Sequence, residues 1–171
     1  MTARANAGKA FVFGDNIDTD VLAPGSLMKL SPRDLANHCL EAIDANFAGA
    51  VREGDVLVAG ANFGLGSSRE QAAVSLKLLG IRAVLAKSFA RIFWRNAMNL
   101  GLPAIVFPQA DEVQAGHQLV VEPESGKIEN LTLGRTYEVQ PIPAHLMDMI
   151  RDGGLMPHLK RKLASAPGAR L

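Results

Sequence analysis

The chain has 171 residues, of which 48% are apolar, so it is long enough to form one domain with a buried hydrophobic core. Its formal net charge of +1 argues against a dedicated nucleic-acid or membrane-surface binder, which needs a concentrated basic face. Its one cysteine, Cys39, excludes an intramolecular disulfide and a self-contained iron–sulfur cluster or cysteine-ligated zinc site.

We expect a single domain over residues 1–171, with frayed tails at residues 1–8 and 165–171, where small, polar, Gly and Pro residues predominate. No apolar run reaches the ~20 residues of a membrane span. The first residues also lack the apolar stretch and cleavage site of a secretory signal. We therefore expect a soluble, cytoplasmic protein.

The N-terminal quarter predicts a strand, a loop and a helix. The short apolar run at residues 10–13 indicates the strand, and the polar, Gly- and Pro-containing segment 14–30 indicates the loop. Ser31, followed by proline, suits the N-cap of a helix whose apolar residues recur as far as Ile43. Cys39 lies on this apolar face, so we interpret it as a small core residue.

Residues 55–107 alternate between strand and helix patterns, which predicts right-handed crossovers and a parallel sheet core. Ser67 and Glu70 have the S-x-x-E spacing of a capping box, so we expect a helix to begin there and to end at Gly80. A second helix, over residues 89–100, is predicted to bury a side that includes Ile92. The predicted strands cover residues 55–59, 83–86 and 104–107.

The remainder of the chain is richer in strand patterns and predicts additional β-structure beside the α/β core. A helix over residues 143–151 is expected to stop at Gly153 and Gly154, and the basic residues 160–162 are typical of a solvated helix end. The predicted strands cover residues 119–122, 128–133 and 136–139, with a turn at 124–126.

The loop at residues 60–70 is the strongest candidate for a ligand site. Three glycines precede the predicted helix, where free backbone N–H groups favour an anion, and Arg69 offers a planar guanidinium for a carboxylate or phosphate. The loop lacks the third glycine of a dinucleotide fingerprint and the lysine of a P-loop, which favours a small carboxylate over a nucleotide. A tight turn before a well-capped helix would explain the same residues equally well.

Two polar groups near this loop have a structural and a functional interpretation. Ser67 or Ser68 can cap the helix, or one of them can carry an alkoxide that nearby N–H groups and Arg69 stabilise. No neighbouring His–Asp pair supports hydrolase chemistry. The aspartates at 15, 18 and 20 can form Asx turns, or one can orient Arg69, and they lack the pattern of a calcium loop.

Three segments together resemble the small-subunit family of 3-isopropylmalate dehydratases, the swivel domain of the aconitase superfamily. They are residues 14–20 with Pro24, residues 62–70, and residues 87–103, and the resemblance extends over roughly residues 10–160. It implies an α/β fold of the swivelling β/β/α type, with a parallel-sheet core and additional strands. It also implies a hydro-lyase of leucine biosynthesis that interconverts 2-isopropylmalate and 3-isopropylmalate by dehydration and rehydration.

The same resemblance implies an obligatory large subunit that carries a [4Fe–4S] cluster, with one iron open to the substrate. This chain is then expected to bind no metal itself, and no nucleic acid or membrane. The implied catalytic residues are Ser67, as the base, and Asp20, which supports the site. The implied substrate-binding residues are Gly66, Ser68, Arg69, Leu27 and Met28.

Two positions depart from the family pattern. The family often has an aromatic–leucine pair where this chain has Leu27 and Met28, and commonly a histidine where this chain has Gln71. The apolar pair suits an isopropyl or methyl substituent. The alternatives are a related dehydratase acting on homoaconitate, citraconate or dimethylmaleate, a non-catalytic anion-binding module, and a stand-alone nucleotide-binding domain.

Overall fold

The computed structural model describes residues 3–168. Seven strands form a single sheet in the order β4-β3-β2-β1-β5-β6-β7. The strands are β1 (Gly8–Val12), β2 (Val56–Ala59), β3 (Ala83–Ala86), β4 (Ala104–Val106), β5 (Gln118–Glu122), β6 (Lys127–Asn130) and β7 (Arg135–Glu138). The helices are α1 (Thr19–Leu22), α2 (Pro32–Ala36), α3 (Phe47–Ala50), α4 (Gln71–Leu79), α5 (Arg91–Asn99), α6 (Ala144–Arg151) and α7 (Leu155–Ser165).

The first half of the sheet is parallel and the second half is antiparallel. Strands β1 to β4 run parallel to their neighbours, whereas β1 pairs antiparallel with β5, and β5, β6 and β7 continue as an antiparallel meander. This arrangement confirms the prediction of an α/β fold with a parallel-sheet core and additional strands. Strand β1 is the element that joins the two halves.

The central strands of the parallel half, β2 and β3, are buried on both faces, which explains their continuous apolar sequence. Leu57 packs in the core on the α2 and α4 side, while Val56 and Val58 pack in a second core against β5 and β6. Because successive side chains of a strand point to opposite faces, β2 and β3 contribute to both cores.

The helix that begins at Ser31 is shorter than predicted. Ser31 Oγ accepts the backbone N–H of Asp34, as an N-cap should, but α2 ends at Ala36. Leu40 has a positive φ of 61° and its N–H donates to the carbonyl of Val21, so a tertiary contact replaces the next helical bond. Cys39 is fully buried, as predicted, whereas Ile43 is exposed.

Three other elements differ from the sequence expectation. Ile92 on α5 is half exposed rather than buried, although Phe93 and Ala97 of the same helix are in the core. The predicted strand at 128–133 ends at Asn130, where a turn begins. Helix α7 was not predicted because its apolar residues do not face the core: Met156, Leu159 and Leu163 are all exposed.

The expected N-terminal tail is partly ordered. Ala3–Asn6 forms a 3-10 helix, and Gly8 begins β1, because its backbone pairs with β5. At the other end, Ser165 is the last residue of α7, and positions 1–2 and 169–171 lie outside the described residues. A single domain over residues 1–171 stays a prediction. Among residues 3–168, no helix has both the length and the apolarity to cross a bilayer.

Candidate active site

Three chain segments meet beyond the carboxyl ends of β1, β2 and β3. The loop after β2 lies in the middle: Gly64 N–H donates to Ile17 O at 2.7 Å on one side, and Phe63 N–H donates to Ser88 O at 3.0 Å on the other. Two isolated bridges, Asp18 with Leu65 and Phe63 with Phe89, describe the same contacts. The segments that carry the family resemblance are therefore adjacent in the fold.

The central loop depends on a glycine at position 64. Gly64 has a φ of 82°, and a Cβ there would lie 2.2 Å from Cγ of Phe93. Below the loop, Phe63 packs edge-on against Phe93, with ring centroids 5.0 Å apart, and against Phe89 at 6.1 Å. The loop therefore rests directly on an aromatic platform, and no side chain fits between them.

Ser67 lies on the exposed side of this loop and is held by Thr19. The Oγ atoms of Thr19 and Ser67 are 3.0 Å apart, and the backbone N–H of Ser67 donates to Thr19 Oγ1 at 3.0 Å. Thr19 is only 2% exposed, whereas Ser67 is exposed. A buried hydroxyl therefore supports an accessible one.

The predicted capping box is wrong. Helix α4 begins at Gln71, its N-cap is Glu70, and no side chain bonds to the cap position. Ser67 does not cap the helix, because it lies three residues before the N-cap. Its hydroxyl and its N–H contact Thr19 instead. Arg69 consequently lies in the loop before the helix rather than in its first turn.

Arg69 is oriented by Asp20. Its Nη1 donates to Asp20 Oδ1 at 2.9 Å and to the carbonyl of Ala23 at 3.2 Å. The same carboxylate oxygen accepts the N–H of Gly25 at 2.8 Å. This Gly25 bond, followed by the Arg69 guanidinium, holds the pKa of Asp20 below its ordinary value. Asp20 is thus an anion whose position fixes that of the cation.

Gly25 is part of the same arrangement. A Cβ at Gly25 would lie 2.8 Å from Arg69 Nη2 and 3.1 Å from Asp20 Oδ1, so the guanidinium lies against this backbone. The segment that starts here continues into Leu27 and Met28, whose side chains are half-buried and pack against the core. The substrate-contacting role of these two residues stays a prediction.

Ser68 is exposed at the edge of the site. Its carbonyl accepts a bond of 3.3 Å from Asn96 Nδ2 of α5. Within residues 3–168, the backbone N–H groups of Ser68 and Arg69 donate to no protein acceptor. Together with the Arg69 guanidinium they form a group of donors that suits a carboxylate.

The aspartates at 15, 18 and 20 have separate tasks. Asp15 accepts the N–H of Ala61 at 2.7 Å, and Asp18 accepts the N–H of Val21 at 2.9 Å, as the N-cap of α1. Both therefore have the structural role, whereas Asp20 has the role of orienting Arg69. The bond of Asp15 spans 46 positions and is therefore not the predicted Asx turn, whereas Asp20 is the aspartate that contacts Arg69.

The described residues of this chain do not fit a metal cluster. Among residues 3–168, no group of three or more His, Cys, Asp or Glu side chains is placed to hold a metal ion. Cys39 is fully buried in the core, and burial raises the pKa of its thiol above the ordinary range. Such a thiol is neutral and is not available as a ligand.

Sequence reasoning missed Thr19 and Asn96 as site residues. Both fall inside the segments that carry the family resemblance, but no local pattern connects either of them to the central loop. Thr19 is 48 positions from Ser67, and Asn96 is 28 positions from Ser68. Only the approach of the three segments in the fold creates these contacts.

Comparison with known proteins agrees with this architecture. Residues 27–110 match the model of the aconitase C-terminal domain. The 3-isopropylmalate dehydratase small subunit of Moorella thermoacetica is 47% identical over 161 residues, which are 93% of this chain and 97% of that protein. Small subunit 1 of the Thermotoga maritima enzyme is 46% identical over 156 residues, which are 90% and 94% of the two chains.

A solved structure shows the same fold. The crystal structure of a 3-isopropylmalate dehydratase from Methanocaldococcus jannaschii superposes with a TM-score of 0.86 at 43% identity, and the match covers 91% of this chain and 93% of that one. The agreement extends over both the parallel and the antiparallel half of the sheet. The chain therefore belongs to the family of 3-isopropylmalate dehydratase small subunits.

Proposed function

We propose that this chain is the small subunit of a 3-isopropylmalate dehydratase of leucine biosynthesis, and that Ser67 is its catalytic base. The enzyme would interconvert 2-isopropylmalate and 3-isopropylmalate by removing and re-adding water. The observation that carries the proposal is that one loop presents two groups side by side. The exposed hydroxyl of Ser67 is held by the buried Thr19, and Arg69 is oriented by the carboxylate of Asp20. Relatives of nearly full length and the same family support it.

In this proposal, the residues of the chain bind the substrate carboxylate and move one proton. The deprotonated Ser67 Oγ removes a proton from the carbon next to a carboxylate. The electron pair of the broken C–H bond forms the C=C bond as the C–O bond on the neighbouring carbon breaks and hydroxide leaves. Arg69 and the free N–H groups of Ser68 and Arg69 stabilise the negative charge that develops on that carboxylate. Re-addition of water at the other carbon then gives the positional isomer.

Asp20 has a supporting role in this scheme. Its bonds to Gly25 N–H and Arg69 fix the guanidinium in one position. A pre-oriented guanidinium reaches its carboxylate partner without reorganisation. We therefore propose that Asp20 acts through Arg69.

The proposal includes a large-subunit partner. The family name indicates a large subunit. The site is also open, because Ser67 and Ser68 are exposed in the loop that follows β2. Bulk water would protonate an exposed alkoxide, so we propose that the partner's surface covers these residues and shields Ser67. On the resemblance to aconitase-type small subunits, we propose that this partner carries the [4Fe–4S] cluster and that the complex is cytoplasmic.

The segment after Gly25 is proposed to contact the variable substituent of the substrate. Leu27 and Met28 present partly exposed apolar surface there, and Gly25 itself lies against Arg69. This environment suits an isopropyl or methyl group better than a third carboxylate. The purified complex should therefore turn over 3-isopropylmalate faster than homoaconitate, which carries a third carboxylate, and the opposite order would contradict the assignment.

The central test is Ser67→Ala in the complex purified with its large subunit. We expect kcat to fall roughly 10²- to 10⁴-fold, because the general base is lost. Co-purification with the large subunit should be unchanged. Ser125→Ala, in an exposed turn far along the chain from the site, is the matched control and should retain the wild-type kcat. A Ser67→Ala complex with a near-normal kcat would instead indicate a non-catalytic binding module.

A further inference from the structure

Thr19 is a buried hydroxyl whose hydrogen-bond partners all belong to Ser67. It is 2% exposed, and Oγ1 lies 3.0 Å from Ser67 Oγ and 3.0 Å from the backbone nitrogen of Ser67. No other partner of this hydroxyl is found among residues 3–168. The Thr19 hydroxyl thus contacts both the side chain and the backbone of Ser67.

The number of protons decides the direction of the hydroxyl–hydroxyl bond. A threonine hydroxyl has one proton to donate and two lone pairs to accept with. The N–H of Ser67 occupies one lone pair. If Ser67 donated to the other, the buried proton of Thr19 would have no acceptor, at the cost of an unsatisfied polar group. Thr19 therefore donates to Ser67 Oγ, which leaves the serine proton free to point outward.

We infer that Thr19 is a positioning residue that orients Ser67 and stabilises its deprotonated oxygen through this donated hydrogen bond. The inference rests on the proposed role of Ser67 as the base. A donor that bonds to the charged form of a group lowers its pKa, so Thr19 raises the fraction of Ser67 that is ionised at a given pH. It does so from inside the protein, without occupying the substrate side.

The backbone around Thr19 is built to hold this contact. The N–H of Thr19 donates to the carbonyl of Leu65 at 2.8 Å. Thr19 is also the first residue of the short helix α1, and Asp18 is the N-cap of that helix. Gly66, between Leu65 and Ser67, has a φ of 109°, and a Cβ there would lie 3.1 Å from Thr19 Oγ1. A glycine at 66 therefore lets the chain turn so that Ser67 faces Thr19, in addition to any contact with substrate.

The test uses Thr19→Val, which keeps the shape of the side chain and removes the hydroxyl, in the complex with the large subunit. We expect kcat to fall about 10- to 100-fold, because a bond to a charged oxygen is lost. KM should change by less than about threefold, since Thr19 touches no substrate. The rising limb of kcat against pH should move about one unit upward, because Ser67 becomes harder to deprotonate.

Two further variants make the test specific. Thr19→Ser restores a hydroxyl at the same place and should recover most of kcat and the original pH profile. Thr136→Val, at an exposed position of strand β7, is the control for replacing a hydroxyl by a methyl group and should behave as the wild type. If Thr19→Val folds poorly, as judged by Tm and co-purification, Thr19→Ser decides: a loss of kcat as large as that of Ser67→Ala would overturn the inference.

The inference and the proposed function fail in different ways. A Thr19→Val complex with the wild-type kcat and pH profile, beside an inactive Ser67→Ala complex, would overturn the role of Thr19 and leave Ser67 as the base. A drop in kcat by the same factor on the rising limb and on the plateau of the pH profile would also overturn it. A structural role lowers the rate equally at all pH values, whereas a raised pKa of Ser67 lowers it only on the rising limb. Activity retained in Ser67→Ala would contradict the proposed function itself.

Discussion

At the scale of single residues, the site is a set of paired polar groups with unequal exposure. Asp20 and Arg69 form an ion pair at the surface, whereas Thr19 supports Ser67 from the interior. Exposed ion pairs contribute little to stability because solvent screens them, so the Asp20–Arg69 pair is better explained by orientation than by folding. Its loss should therefore appear in substrate binding before it appears in stability.

Asp20→Asn tests this orientation. The amide keeps the shape but removes the charge that fixes Arg69, so we expect KM for 3-isopropylmalate to rise about tenfold, with a smaller fall in kcat. The measurement is steady-state kinetics of the purified complex. Asp148→Asn, which removes another exposed aspartate–arginine contact on α6, is the matched control. Unchanged KM in Asp20→Asn would contradict the orienting role.

The contribution of the Asp20–Arg69 pair to the stability of the fold depends on pH, because the pKa of Asp20 is lowered in the folded protein. Because the folded pKa lies below the unfolded value of about 3.9, the ionised carboxylate stabilises the fold above that pH. This contribution is lost as pH falls through the folded pKa. The Tm difference between wild type and Asp20→Asn should therefore be present at neutral pH and shrink toward zero in strong acid. A difference that grew on acidification would contradict this assignment.

Cys39 is the other residue whose chemistry is decided by its environment. It is fully buried, and burial raises the pKa of its thiol, so almost no thiolate forms near neutral pH. We expect iodoacetamide at pH 8 to leave the folded protein unmodified and to add a single adduct in urea, as measured by mass spectrometry. Rapid modification of the folded protein would show that the thiol is accessible.

At the scale of elements, local sequence patterns found the strands better than the helix boundaries. The continuous apolar runs of β2 and β3 are visible in the sequence because both faces of the sheet are buried at these strands. Helix α2 ends early because Leu40 bonds to Val21, and α4 starts late because Ser67 bonds to Thr19. Helix α7 escaped prediction because its apolar residues are exposed. For α2 and α4, a tertiary contact overrides the local pattern.

The loop glycine at 64 allows a test at this scale. Gly64→Ala combines an unfavourable positive φ with a clash against Phe93, so we expect a loss of about 2–4 kcal/mol in the free energy of unfolding. Urea denaturation measures it. Gly134→Ala has a φ of 65° but open space around it, and should lose only about 1 kcal/mol. Equal losses at the two positions would show that the contact with Phe93 is unimportant.

At the scale of the whole molecule, β1 determines how the two halves are joined. It pairs parallel with β2 and antiparallel with β5, so the first strand of the chain lies in the middle of the sheet. Its carboxyl end leads into the segment that contains Thr19 and Asp20, beside the loop from β2. The site therefore lies at the carboxyl ends of the parallel strands, and its residues Ser67 and Ser68 are exposed there.

An open site predicts that the isolated chain is inactive. Ser67 and Ser68 are exposed, and the described residues offer no group that could hold a metal. We expect no measurable turnover of 3-isopropylmalate by the purified chain alone, and turnover when the large subunit is added in a titration that saturates at a defined ratio. The large subunit alone is the control. Turnover by the isolated chain would contradict a divided active site.

The sequence by itself determined the strands of the parallel core, the burial of Cys39 and the family, because these depend on local apolar runs and on conspicuous residues at short spacing. It also placed Ser67, Arg69 and Asp20 among the candidates. Only the tertiary structure decided that Asp20 rather than Asp15 or Asp18 orients Arg69, that Ser67 does not cap a helix, and that Thr19 lies beneath it. These contacts join positions more than 40 residues apart, and their geometry exists only once β1 and β2 have paired.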